Sequence, residues 1–220
     1  MKSWMRANKG FVLFLLLFGV FRTAVADWNP IPSGSMRPNL LEGDVVLVNR
    51  LAFDLKLPLT DIILTHLGDP RRGDVVTFSS PKDGTRLIKR VLALPGDVVE
   101  MRDERLVING QPAGYSLPHE APEPVPGGVT TALQLTETVG SGQHRIQVLP
   151  QVAAMRSFAP VTIPRDEYLM LGDNRDNSAD SRFIGLVPRA LLIGRAERVL
   201  VSANIKGNWM PRIDRFGRPL

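Results

Sequence analysis

Arg86-Leu87-Ile88-Lys89-Arg90-Val91-Leu92-Ala93-Leu94, closed by Pro95-Gly96-Asp97, is an apolar run of strand length bounded by turn residues. Strand alternation sets Leu87, Lys89 and Val91 on one side, so a lysine falls on an apolar face. Outward from this stretch, short β-branched runs between Gly, Pro and Asp recur at 45–48, 75–78 and 98–101, and at 106–108 before a hairpin-like Asn109-Gly110. Residues 146–149, 167–171 and 198–202 read the same way. Helix signals are scarce, 188–192 being the best short turn. The Gly-Asp pairs at 43, 68, 73, 96 and 172 are irregularly spaced and are read as turn chemistry, not as a repeat. The expected fold class is therefore mainly β. Between 111 and 145 the texture turns to Pro, Gly, Thr and Gln, which reads as an insertion or a poorly packed excursion.

The chain has 220 residues, 44% of them hydrophobic, enough for one well-packed domain with something small beside it. Its formal charge of +5 comes largely from its start. Lys2, Arg6, Lys9 and Arg22 stand among 26 residues that include no acid, and the remaining 194 carry 23 basic against 22 acidic groups. A body so nearly neutral is no phosphate-tracking surface, and no nucleic-acid partner is expected. With no cysteine, disulfides, thiolate metal sites and a thiol nucleophile are excluded.

Residues 10–21 form an uncharged apolar run that continues past Arg22 and Thr23 into Ala24-Val25-Ala26. Two readings are open. A removable signal peptide fits the basic start, the length of the apolar run and the small-residue triplet. A membrane anchor fits a span of residues 10–27, provided that Arg22 snorkels towards the headgroups. The anchor is the expectation adopted, with a basic cytoplasmic N-terminus at 1–9, the anchor at 10–27, and an extracytoplasmic β-rich domain at 28–220 that has a variable insertion around 111–165. Whether the chain is cut at its own Ala24-Val25-Ala26 stays open.

Two serines flank one glycine in Ile31-Pro32-Ser33-Gly34-Ser35-Met36-Arg37-Pro38-Asn39-Leu40. A serine hydroxyl becomes a nucleophile once a neighbouring base takes its proton. His66, His119 and His144 lie in loop-like stretches without a partner pattern, so a Ser/His/Asp triad has no support. A lysine serves if burial holds it neutral, and Lys89 is placed for that. Read alone, Lys89 is more simply an edge-strand charge that discourages aggregation. The run Gly172-Asp173-Asn174-Arg175-Asp176-Asn177-Ser178-Ala179-Asp180-Ser181-Arg182 is densely polar. It fits a solvated loop, a weakly matching calcium site, or a loop ordered by an Asp180–Arg182 pair.

Together, the apolar segment, Pro32-Ser33-Gly34-Ser35-Met36, Gly43-Asp44, Arg72-Gly73-Asp74-Val75-Val76, Ile88-Lys89-Arg90-Val91, Leu94-Pro95-Gly96-Asp97 and the 172–182 run resemble, in order, the type I signal peptidase family. The resemblance implies an antiparallel β-sheet catalytic domain on the outer, periplasmic side of the bacterial inner membrane; many members carry two spans before the serine, whereas this chain shows one N-terminal transmembrane helix. It implies that Ser35 is the nucleophile and Lys89 the general base, with Ser33 and the Ser35 N–H forming the oxyanion hole. Ser178 would orient the lysine, while Asp180 and Arg182, near Arg90, would support the site as an ion pair. Met36, Leu40, Leu87 and Ile88 would line the pockets for an Ala-x-Ala segment. The implied partners are signal peptides of exported precursors and membrane lipid. The chain would act as a monomer, with no cofactor and no metal. Asn39, where the family more often has threonine, and Ile184, where an aromatic is common, depart from the pattern without touching a reacting atom. A self-cleaving Ser/Lys repressor shares the dyad but would need a DNA-binding module that the 34 residues before Ser35 cannot hold. A silent membrane-anchored binding module keeps the fold, and only activity separates it.

Overall fold

A computed structural model describes residues 8–60, 62–125 and 127–220. It begins with one helix, α1 (Lys9–Ala24), followed by strands β1 (Ala26–Pro30), β2 (Asp44–Asn49), β3 (Asp54–Lys56), β4 (Ile63–His66), β5 (Val75–Ser79) and β6 (Arg86–Ala93). Strands β7 (Val98–Arg102), β8 (Arg105–Ile108), β9 (Gln111–Pro112), β10 (Gly114–Tyr115), β11 (His119–Val125), β12 (Gly128–Val139), β13 (Gly142–Val148) and β14 (Phe158–Thr162) lead to β15 (Glu167–Leu171). The short helix α2 (Ser181–Ile184), β16 (Val187–Pro188) and β17 (Leu192–Ser202) complete the order.

The main sheet has seven strands in the order β1-β2-β17-β5-β6-β15-β16, and every pairing is antiparallel. Val75 and Val76 are successive on β5 and so point to opposite faces. Val75 packs with Ile31, Met36, Leu40, Val46 and Val48, and Val76 with Phe53, Phe78, Val91 and Met170. The sheet is thus covered on both sides, which explains the unbroken apolar runs that mark its central strands. A third cluster, built on Leu92, Val99, Met101, Leu106 and Leu171, joins it to a second sheet, β14-β7-β8-β9.

The stretch read as a poorly packed excursion is a sheet of its own, with β10, β11 and β13 all pairing along β12. Among the described residues β11 pairs with β12 alone, and it carries Pro122 and Pro124 two residues apart. An edge strand accepts prolines whose missing donors would face solvent, so the residues that argued against a strand are compatible with this one. The polar loop also holds a helix that its sequence did not announce, α2, started by Asp180, whose side chain accepts from the Arg182 N–H.

The helix α1 covers 16 residues, about 24 Å at 1.5 Å per residue. The expected span of 10–27 is helical only to Ala24, because Ala26 and Asp27 pair with Asn49 and Val48 in the main sheet. Among the described residues no helix is long and apolar enough to cross a membrane. Phe11, Phe14, Leu16, Leu17 and Phe21 are exposed around α1. Arg22 lies over the Trp28 ring, 4.4 Å from its centre, and bonds Asp27 at 3.1 Å, which ties the helix end to β1. Most of the basic stretch 1–9 lies outside the described residues.

Candidate active site

After β1 the chain bonds back to the start of β2, Ile31 N–H to the Asp44 carbonyl at 2.8 Å and Gly43 N–H to the Ile31 carbonyl at 3.0 Å. Ser33 is extended (φ −135°, ψ 159°) and opens a single 3₁₀ turn, Gly34–Met36, closed by the Arg37 N–H on the Gly34 carbonyl. Met36 and Leu40 are sunk into the core below, so Ser35 stands on a turn pinned from beneath. Asn174 grips it from the side. Its N–H bonds the Ser35 carbonyl at 3.1 Å and its side-chain Nδ2 the Gly34 carbonyl at 3.0 Å. Gly172 passes so closely that a Cβ there would lie 2.5 Å from the Ser35 carbonyl oxygen and 2.3 Å from Ser178 Oγ, which leaves glycine as the residue that fits.

Lys89, opposite Val76 in the β5–β6 ladder, is 2% exposed. Its Nζ donates to Ser35 Oγ at 2.7 Å and to the Ile88 carbonyl at 2.9 Å. Burial pushes its pKa down from 10.5 to about 8, against the upward pull of the Asp180 and Asp173 charges. Both carboxylates are claimed by arginines. Arg90 holds Asp173 through two bonds of 2.8 and 2.7 Å, and Arg182 holds Asp180 through two of the same lengths. Burial alone would raise the Asp173 pKa, but the Arg90 charge and hydrogen bonds hold it below the usual carboxylate range. With these anions neutralised, desolvation prevails at Lys89.

A cleft of about 250 Å³ opens over the pair, lined by Ser33, Gly34, Ser35, Leu87, Lys89, Asn177, Ser178 and Ala179. A second groove, about 330 Å³, continues past Leu87 and Ile88 along Trp28, Pro30, Ile31 and Pro32. The structure thus brings Ser33, Ser35, Lys89, Leu87 and Ser178 to one cleft and puts Ile88 beside it. Arg90, expected near the Asp180–Arg182 pair, is paired with Asp173. Two expectations need correction. Met36 and Leu40 line neither opening, because their side chains are used in the core. Ser178 makes no hydrogen bond to Lys89; its Oγ is buried without a partner among the described residues, while Nζ is engaged by Ser35 and Ile88.

The polar loop is a junction and not a solvated turn. Asp173 meets Arg90, Arg175 meets Glu137, Asp176 meets Arg156, and Asp180 meets Arg182. Asn39 bridges the Arg145 carbonyl and Asp173, each at 2.7 Å. No group of three His, Asp or Glu among the described residues is arranged to hold a metal. Sequence reading missed Glu137 and gave no role to Gly172, Asn174 and Arg175, although it singled out the run that holds them. The one signal was the crowding of opposite charges within 173–182, more than a solvated loop needs.

The family model for signal peptidase, peptidase S26, matches residues 2–201. The signal peptidase I of Pseudomonas aeruginosa is 37% identical over 219 residues, which cover 94% of this chain and 75% of that one. That of Pseudomonas fluorescens is 37% identical over 221 residues with the same coverage, and that of Leptolyngbya laminosa 33% identical over 190 residues, covering 83% of this chain and 71% of the relative. With a matched family model over nearly the whole chain and relatives of this identity and coverage, the chain belongs to the signal peptidase family, peptidase S26, and is a hydrolase.

Proposed function

We propose that the chain is a membrane-anchored serine endopeptidase that removes N-terminal signal peptides from exported precursors by cutting after a small residue, as in Ala-x-Ala. The observation that carries the reading is the 2.7 Å approach of a buried Lys89 Nζ to Ser35 Oγ, with the lysine pKa pushed down to about 8. At neutral pH roughly a tenth of such a lysine is unprotonated, against less than about one in a thousand at its ordinary value. The neutral amine takes the Ser35 proton as Oγ attacks the scissile carbonyl carbon. It then returns that proton to the leaving amine, and the acyl group stays on Ser35 as an ester until water, deprotonated by the same lysine, releases it. Ser33 Oγ, exposed in the same cleft, and the Ser35 N–H on the first turn of its 3₁₀ helix are the donors assigned to the oxyanion.

An extended substrate has an edge to join. β15 pairs with β6 only from Arg90 onward, so residues 86–88 keep an open edge facing the groove by Pro30–Pro32. Leu87 stands between the two openings and sets the room for small side chains. For the anchor, the support is α1, apolar on all sides and fixed to β1 by Arg22 and Trp28. β1 then runs directly to Ser33, which would hold the cleft near the outer surface of the inner membrane, single-pass, with signal peptides presented from the bilayer.

The test is cleavage of a secretory precursor with an Ala-x-Ala site by the detergent-solubilised protein, beside folded Ser35→Ala and Lys89→Ala variants. Cleavage by the parent and by neither variant is expected. An active Lys89→Ala would remove the lysine from its role, and an inactive parent would count against the peptidase reading.

A further inference from the structure

Glu137, on β12, is a carboxylate that the chemistry above does not use, and it is fully buried at 0% exposed. Three groups face it. Arg175 bonds it with Nη1 at 2.8 Å and with Nη2, the Tyr115 hydroxyl donates at 2.8 Å, and His144 Nε2 stands 3.0 Å away. Burial alone would raise the Glu137 pKa, but the Arg175 charge holds it well below the carboxylate range, so an ion pair sits at full depth. Such a pair adds little net stability, because both ions lose their water. What it supplies is a fixed place for Arg175.

That place bears on Ser35. The Arg175 N–H bonds the Gln147 carbonyl at 2.9 Å, and the Gln147 N–H bonds the Asp173 carbonyl at 2.8 Å. These two bonds bracket Asn174, which grips the Gly34 and Ser35 carbonyls. The Arg175 carbonyl in turn accepts from Arg182 at 2.5 Å, and Arg182 clamps Asp180, whose carboxylate takes the Gly172 N–H at 3.0 Å. The same peripheral sheet reaches the chain beyond the serine, through Arg37 to Glu123 at 3.0 Å and Asn39 to the Arg145 carbonyl.

We propose that Glu137 is a positioning residue of the hydrolytic site: through Arg175 it fixes residues 172–176, and through them the turn that holds Ser35 Oγ against Lys89. The consequence for turnover rests on the Ser35–Lys89 reading; the mechanical link does not. The sheet that carries Glu137 is thereby part of the catalytic apparatus and not a decoration on it.

The test is Glu137→Gln in the full chain in detergent, read in two ways. Hydrogen exchange at the Asn174 amide, which bonds Ser35, is expected to accelerate while Val76 and Leu87 in the β5–β6 ladder keep their protection. Turnover is expected to fall by roughly tenfold or more with KM within about twofold, since geometry and not substrate contact is lost. The acid limb of kcat/KM is expected to move upward by about half a pH unit or more as water reaches Lys89, a shift that simple loss of folded protein does not produce. Unchanged Asn174 exchange, or a loss that only tracks the folded fraction, overturns the proposal. If Glu137→Gln does not fold, Tyr115→Phe removes one bond to the same carboxylate and is expected to move both readouts in the same direction by less; no movement in either overturns it. An active Lys89→Ala would sink the dyad separately, with the Asn174 exchange still deciding the link.

Discussion

Lys89→Met is expected to give a protein that is inactive and more stable than its parent. Lys89 is 2% exposed, and burial lowers its pKa from 10.5 to about 8. The sign follows from proton linkage. Between the folded and unfolded values the unfolded chain binds the extra proton, so the parent gains stability as pH rises from about 8 to 10.5 and carries the full penalty below that window. The penalty is about 3 kcal/mol at pH 7 and about 2 kcal/mol at pH 9. Methionine has a similar length and no charge, and it forfeits the bonds to Ser35 Oγ and the Ile88 carbonyl, about 1 kcal/mol net. The variant should therefore exceed the parent by about 2 kcal/mol at pH 7 and about 1 kcal/mol at pH 9. Denaturant titrations of both proteins in one detergent, repeated across that pH range, measure the difference, and every group other than Lys89 cancels to first order. A variant less stable than its parent at pH 7, or a gap indifferent to pH, would contradict a desolvated lysine at this site.

The parent's kcat/KM should fall about tenfold for each pH unit below about 8, as Lys89 takes up its proton; a flat profile in a stopped assay on precursor would exclude lysine as the base. Ser33→Ala should lower kcat by about 10²-fold with little change in KM, and steady-state kinetics at the pH optimum would show an equal rate if Ser33 gave nothing to the oxyanion. Gly172→Ala should cost more than about tenfold in kcat, since its Cβ would fall 2.5 Å from the Ser35 carbonyl oxygen and 2.3 Å from Ser178 Oγ. Wild-type turnover in that variant would mean that the 172–174 segment yields without moving Ser35.

The candidate site positions and most strands of the main sheet were open to reading because they are locally encoded. Val75, Val76, Val91 and Leu92 announce strands by their own side chains, and Lys89 is conspicuous because it interrupts such a face. The turn at Gly34–Met36 and the cleft at Ser178 were reached through motifs whose residues lie close together in the chain. The β10–β13 sheet was not legible, since β11 reads His-Glu-Ala-Pro-Glu-Pro-Val and relies on β12 for its pairing, not on an apolar face of its own.

Partner choice was decided by tertiary structure alone. Sequence named no partner for Arg90; the β6–β15 register, with Leu171 opposite Arg90, brings it to Asp173. Met36 and Leu40 looked like pocket residues, and packing against Val46 and Val48 took them into the core. Glu137 and Arg175 are 38 residues apart, with nothing in either neighbourhood to name the other. Periodicity is a property of a short segment and survives in the sequence. Which charge meets which depends on strand order and register, and these are settled only when distant segments share one core.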